Sequence, residues 1–153
     1  MSDVPIVFAQ EPFALIVAGL KTLTVRHWEE IAHNKELIKL DPDWEKYQNL
    51  GDMGIAHFTS ARKNNELVGY QIYFVMPHMH YKSSLTAISD VLFLAPEVRK
   101  GRTGIKLIQF AEKNLKAIGV QRVLQNVKLS NDWGTILEVL GYKPFERIYA
   151  KLL

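Results

Sequence analysis

The sequence predicts a single α/β domain, and three observations carry that prediction. Residues 85–95 and 120–127 are apolar, strand-like runs separated by an amphipathic helical pattern over 103–118, the order strand, helix, strand. Two further β-prone runs, 55–62 and 66–76, flank the polar turn Lys63-Asn64-Asn65 and read as a hairpin. The first third carries apolar residues at helical spacing. At 153 residues and 48% hydrophobic, the chain is long enough for one packed core, and no Pro/Gly/Ser-rich linker divides it.

In chain order, residues 4–8 form a short apolar run fit for a first strand. Residues 11–23 then place Phe13, Ile16, Val17 and Leu20 on one helical face, which Trp28, Ile31 and Ala32 either continue or pass to a second helix. Asp41 or Asp43 offers an N-cap for a following helix that Gly51 stops. In the hairpin's second strand Tyr70, Ile72, Phe74 and Met76 share a face, while Val68 and Val75 lie on opposite faces, as a central strand requires. Pro96 ends the strand over 85–95 by removing a ladder donor. The helix over 103–118 turns Leu107 or Ile108, Ala111, Leu115 and Ile118 inward and Lys106, Gln109, Glu112, Lys113 and Lys116 to water, with Gly119 as its stop. Ser130 or Asn131 caps a last helix to Leu140, closed by Gly141. Residues 142–152 read as a final strand, with Tyr142, Phe145 and Tyr149 filling the core.

Composition narrows the function classes. Cysteine is absent, which excludes disulfides, a thiolate nucleophile and a cysteine-based zinc site. The formal charge of +3 is mild for a nucleic-acid binder, and the start of the chain reads neither as a signal peptide nor as a membrane span, so a cytoplasmic protein is expected.

The segment over 90–119 carries the most chemistry. An apolar strand runs into a basic, glycine-containing loop that opens a helix. First-turn amides without intrahelical partners, together with the helix dipole, make such a place an anion site, and Arg99, Lys100 and Arg102 add three cations to it. Aromatics interleaved for base stacking are absent, which favours the pyrophosphate of a cofactor over nucleic acid.

Strand, basic loop and helix in this order resemble the acyl-coenzyme A binding core of the GNAT superfamily of N-acetyltransferases. The loop Arg99-Lys100-Gly101-Arg102-Thr103-Gly104 is similar to the family's Gln/Arg-x-x-Gly-x-Gly/Ala, with Arg102 where the middle glycine stands. Asn131-Asp132, opening a helix that ends Leu140-Gly141-Tyr142, is similar to the family's Asn-led helix ending in Gly-Phe. The resemblance implies a GNAT-like fold: a mixed, mostly antiparallel central sheet with helices on both faces and a βαβ cofactor-binding core. It implies transfer of an acetyl group from acetyl-coenzyme A to a primary amine. The alternative is a coenzyme A-binding or interaction module of the same fold without turnover.

By that likeness Arg99 through Gly104 contact the pyrophosphate, Leu92 and Leu94 face the pantetheine arm, Asn131 touches it, and the Phe93 backbone N–H polarises the thioester carbonyl. The helix position where many members carry a tyrosine as general acid holds Leu137. His78 and His80, two residues apart beside the expected substrate cleft, resemble the proton-relay pair of arylalkylamine members; the plainer reading is an exposed hydrophilic loop. Asp90 is a base, an amine anchor or a solvated strand-edge acid. No metal is expected. The expected partners are acetyl-coenzyme A and an amine acceptor, small molecule or protein, with self-association as a homodimer left open.

Overall fold

The computed structural model describes residues 4–153. Five strands form one sheet in the order β1-β2-β3-β4-β5: Val7–Glu11, Ala56–Lys63, Glu66–His78, Tyr81–Leu94 and Val120–Leu124. The first four pair antiparallel and β5 joins β4 in parallel. The helices are α1 (Phe13–Ile31), α2 (Trp44–Asp52), α3 (Thr103–Ala117) and α4 (Gly134–Val139).

Of the stripe that predicted the first helix, Phe13, Ile16 and Leu20 are buried together with Leu23, and Val17 is half-buried. No glycine or proline interrupts residues 24–31, so the helix carries Trp28 and Ile31 with it instead of handing them to a second one. Asp43 caps α2, its carboxylate accepting from the Lys46 amide at 2.9 Å. The β2–β3 turn is tighter than expected: Asn64 and Asn65 both take positive φ, the geometry that matches strand twist in a two-residue hairpin.

Alternation along β3 divides the core. Tyr70 and Ile72 turn toward α1 with Phe58 and Phe93, whereas Tyr73 and Val75 turn toward Ala111 and Leu115 of α3. Leu107, Ile108, Ala111 and Leu115 are buried as expected, but Ile118 is exposed and Glu112 turns inward to meet Tyr142.

The C-terminal expectations need correction. No strand forms over residues 142–153, because the sheet ends at β5 with no strand paired on its outer side, and Pro144 lacks a donor. Phe145 and Tyr149 are 64% and 86% exposed instead of filling the core. The last helix starts later than predicted: Asp132, not Ser130 or Asn131, accepts from the Gly134 amide at 2.8 Å. Asn131 sits exposed in a preceding turn.

Candidate active site

Two local features of β4 build the site. The pairing with β3 passes from Ile72↔Val91 to Tyr73↔Ser89, so Asp90 has no counterpart and forms a β-bulge. The pairing with β5 ends at Ile88↔Leu124, so beyond Ile88 the two parallel strands part and one edge of β4 is open. Asn126 holds the apex of this wedge, its Nδ2 donating to the Ser89 carbonyl at 2.8 Å.

On the α1 face the bulge turns Asp90 into a cleft of about 540 Å³ lined by His27, Trp28, Trp44, Tyr47 and Tyr70. The Tyr47 O–H donates to Asp90 Oδ2 at 2.5 Å. Burial first, then that bond, pushes the Tyr47 phenol well above its usual range. His27 Nδ1 lies 3.2 Å from the Tyr70 hydroxyl, and its ring stacks on Phe93 with centroids 4.8 Å apart. Burial lowers His27 to about 4, against an opposing pull from Glu30, so the ring is neutral at pH 7. Burial likewise raises Tyr70 to about 12. The cleft therefore sets Asp90, anchored by Tyr47, beside neutral His27 and Tyr70 and aromatic walls, with Asp41, Asp43, Lys39 and Lys128 also on its lining.

Along the open edge, the Ala95 amide donates to the Val68 carbonyl of β3 at 2.8 Å. N–H groups alternate along a strand, so the Phe93 amide also faces β3, and those of Leu92 and Leu94 face the wedge. This corrects the choice of Phe93 as carbonyl donor: its ring is core and its amide is directed at β3, which leaves Leu92 as the open amide nearest the bulge.

The basic loop follows. Gly101 takes φ +57°, a conformation that favours glycine, and turns the chain into α3. Among the described residues the Gly104 and Ile105 amides find no backbone acceptor in the preceding loop. Gly104 needs no positive φ, and a Cβ there would meet only Leu94 Cδ1 at 3.6 Å. The fold itself leaves room at Gly104, and a ligand approaching the helix start would use it. Lys100 and Arg102 are exposed on the loop.

Arg99 does not join them. Its Nε donates to the Leu94 carbonyl at 2.7 Å, its two terminal nitrogens bridge Glu30 at 2.7 Å each, and its guanidinium lies 5.3 Å from the Phe93 centroid. It clamps α1 to the end of β4, so the loop presents two of the three expected cations. His78 and His80 are also displaced from expectation. They occupy the exposed tip of the β3–β4 hairpin, rings 5.3 Å apart, with the His80 amide donating to His78 Nδ1 at 3.1 Å. The run of β4 from Tyr81 to Asp90, at about 3.3 Å per residue, puts that tip roughly 30 Å from the bulge.

No family model matches the chain, and no curated protein sequence matches it. Solved structures do. An aminoglycoside acetyltransferase from an uncultured soil metagenomic sample superposes with a TM-score of 0.75 at 14% identity, covering 97% of this chain and 98% of its own. The chain has the GNAT fold. Glucosamine-6-phosphate N-acetyltransferase from Arabidopsis thaliana gives a TM-score of 0.72 at 10% identity over 97% and 98% of the two chains. A predicted acetyltransferase with acetyl-CoA from Clostridium acetobutylicum gives 0.70 at 13% over 97% and 96%. The mixed sheet with helices on both faces is the GNAT architecture that the sequence predicted.

Several residues of the cleft and the wedge carried no sequence motif. His27 continues the buried stripe of α1 four residues past Leu23, a signal that was available. Tyr47 meets Asp90 only through tertiary packing, and Asn126, not Asn131, lies at the wedge. No described helix is long and apolar enough to cross a membrane.

Proposed function

We propose that this chain transfers an acetyl group from acetyl-coenzyme A to a primary amine. The observation that carries the reading is the parting of β4 from β5. It leaves the Leu92 and Leu94 amides open between a glycine cradle at Gly104 and a bulged, anchored carboxylate at Asp90. The first two recognise an acyl thioester with a pyrophosphate tail, and the third recognises an ammonium. The residues present fit acetyl-coenzyme A, which when bound supplies the activated acetyl group. The structural neighbours described as acetyltransferases of aminoglycosides and of glucosamine-6-phosphate support an amine acceptor.

The roles follow from position. Lys100, Arg102 and the first-turn amides of α3 hold the pyrophosphate, with Thr103 and Gly101 shaping the loop through the Thr103 Oγ1 bond to the Lys100 carbonyl at 2.9 Å. The Leu92 amide stabilises charge as it develops on the thioester oxygen. Asp90, fixed by Tyr47, orients the acceptor amine. The bound ammonium first gives one proton to water, which frees the nitrogen's lone pair, and Asp90 accepts the second proton as the N–C bond forms, when that nitrogen becomes far more acidic than a free alkylammonium. Asp90 and the open β4 edge belong to one strand, which fixes the acceptor's approach to the thioester.

Calorimetry with acetyl-coenzyme A tests the binding half. Wild type should bind and Gly104→Glu should not, because an anion would occupy the phosphate site; equal affinity in a folded Gly104→Glu protein would overturn the assignment. Thiol release against a panel of amines tests turnover. A second reading, a coenzyme A-binding module without turnover, draws on Leu137, an apolar, buried side chain where a proton donor is usual in the family. Binding without thiol release from any amine would select it.

A further inference from the structure

We propose that the acceptor is a small primary amine with an apolar tail, its nitrogen at Asp90 and its tail in a groove floored by Phe74 and Met76; this rests on the acetyl-transfer reading above. Side chains alternate along a strand, so Tyr70, Ile72, Phe74 and Met76 form one row on the α1 face of β3, each about 6.6 Å from the next. Tyr70 and Ile72 floor the cleft that holds Asp90. Phe74 and Met76 continue the row into a second cavity of about 400 Å³, walled by Leu50 of α2 and by Ile55.

The two cavities meet at Tyr47 and Asp43, which line both. Tyr47 is a fixed divider: its ring stacks on Phe74 with centroids 6.1 Å apart and on Phe13 at 6.3 Å, and its hydroxyl donates to Asp90. Asp43 is held as well, since its carboxylate caps α2. The carboxylate that receives the amine therefore stands beside the way into the groove.

The ends of this joined space differ in chemistry. The cleft carries Lys39, Asp41, His33 and Lys128 on its lining, a mixed set of charged and polar groups that keeps that end wet. Two of them are already engaged, Lys128 Nζ with the Ile31 carbonyl at 3.1 Å and His33 Nε2 with the Ser130 hydroxyl at 2.9 Å. In the groove, Asp43 and Lys46 belong to the start of α2, one turn before Leu50, and the stretch lined by Leu50, Ile55 and Met76 offers a charged tail end no partner. Met76 is 42% exposed while Leu50, Ile55 and Phe74 are half-buried, so apolar surface meets water here that a tail would cover. A concavity of this size, mostly apolar and next to a few placed polar groups, is what a small ligand fills. The flexible thioether of Met76 adapts to tails of different shape.

Asp90 meets the charge that all primary amines share, so it does not tell one from another. The groove does. Burying a methylene of the tail stabilises the bound substrate and the transition state alike, and so raises kcat/KM.

Thiol release from acetyl-coenzyme A with the straight-chain amines from ethyl to hexyl tests the assignment. kcat/KM should rise about threefold per methylene, on the order of 10²-fold across the series. The six-carbon diamine should fall below hexylamine by on the order of tenfold, because its second ammonium would lose water in the groove without a partner. Met76→Gln, a polar change of similar shape at an exposed position, should cut the hexyl-to-ethyl ratio by about threefold. If that variant does not fold, the wild-type series and the diamine decide. A flat series, a diamine preferred to hexylamine, or an unchanged ratio in folded Met76→Gln would overturn the groove assignment and leave acetyl transfer standing. Turnover of other amines but of none in this series would do the same. Thiol release with no amine at all would remove the acetyl-transfer reading, and this inference with it.

Discussion

His27 places a testable demand on stability. Its ring is held near 4 in the folded state against 6.5 for the free side chain. Between those values the unfolded chain binds the extra proton, so stability is full above about 6.5 and declines as pH falls toward 4. At about 1.36 kcal/mol per unit, the fall from pH 6.5 to 5 amounts to about 2 kcal/mol. Urea titrations should show this slope and should lose it in His27→Phe, which keeps the stack on Phe93. The lowered carboxylates Glu11, Glu30 and Glu97 act below the usual 4.5 and do not contaminate that window. At the bulge, Asp90→Asn should lower kcat/KM for the amine by on the order of 10²-fold while leaving coenzyme A affinity unchanged. His78→Gln with His80→Gln should leave turnover within about twofold, since both rings sit at the far tip of the hairpin; a large loss would restore the relay that their spacing suggested. Residue identity alone could not separate Asp90 from the two histidines, because all three are titratable groups on or near a strand. What distinguishes them is where β4 slips by one residue against β3, a property of pairing and not of composition.

Among the elements, β4 and its flanks decide the site. At Gly69 a Cβ would lie 2.4 Å from Leu94 Cδ2 and 2.9 Å from the Phe93 carbonyl, so β3 and β4 approach each other there without room for a side chain. Gly69→Ala should cost about 1–3 kcal/mol by calorimetric unfolding and weaken coenzyme A binding, as it displaces the Leu94 end of the open edge. The Arg99–Glu30 bridge is partly exposed and contributes little by itself, but Arg99 also fixes the Leu94 carbonyl. Arg102→Gly should therefore weaken coenzyme A binding in low salt more than Arg99→Gln does, and the difference should shrink as salt rises. The elements themselves were readable wherever one period ran long enough, as in α3 and the β2–β3 hairpin. The segment after Gly141 was not: its alternation reads as a strand, but a strand exists only beside a partner, and β5 presents none.

Across the whole molecule, the sheet is a partition. The cleft proposed for the acceptor draws on α1, α2 and the bulge, while the loop and the wedge proposed for the donor lie along the open edge and the α3 side. Substitutions on the two sides should be nearly independent, so Tyr47→Phe and Gly104→Ala should change the free energy of turnover additively within about 0.5 kcal/mol in a double-mutant cycle. The sequence carried the basic loop because a loop before a helix is local, and it left the cleft dark because that cleft is assembled from residues as distant as His27, Tyr47 and Asp90.

That division of labour bears on how such a protein can change over time. Apart from the bulge, the groups proposed to meet the amine come mainly from the first half of the chain, and those proposed for the acyl donor come from Leu92 onward. Drift in His27, Trp28, Trp44 or Tyr47 can therefore retune which amine is accepted while the donor machinery stays untouched. A lineage built this way would keep its donor and shed its former acceptors, a few side chains at a time.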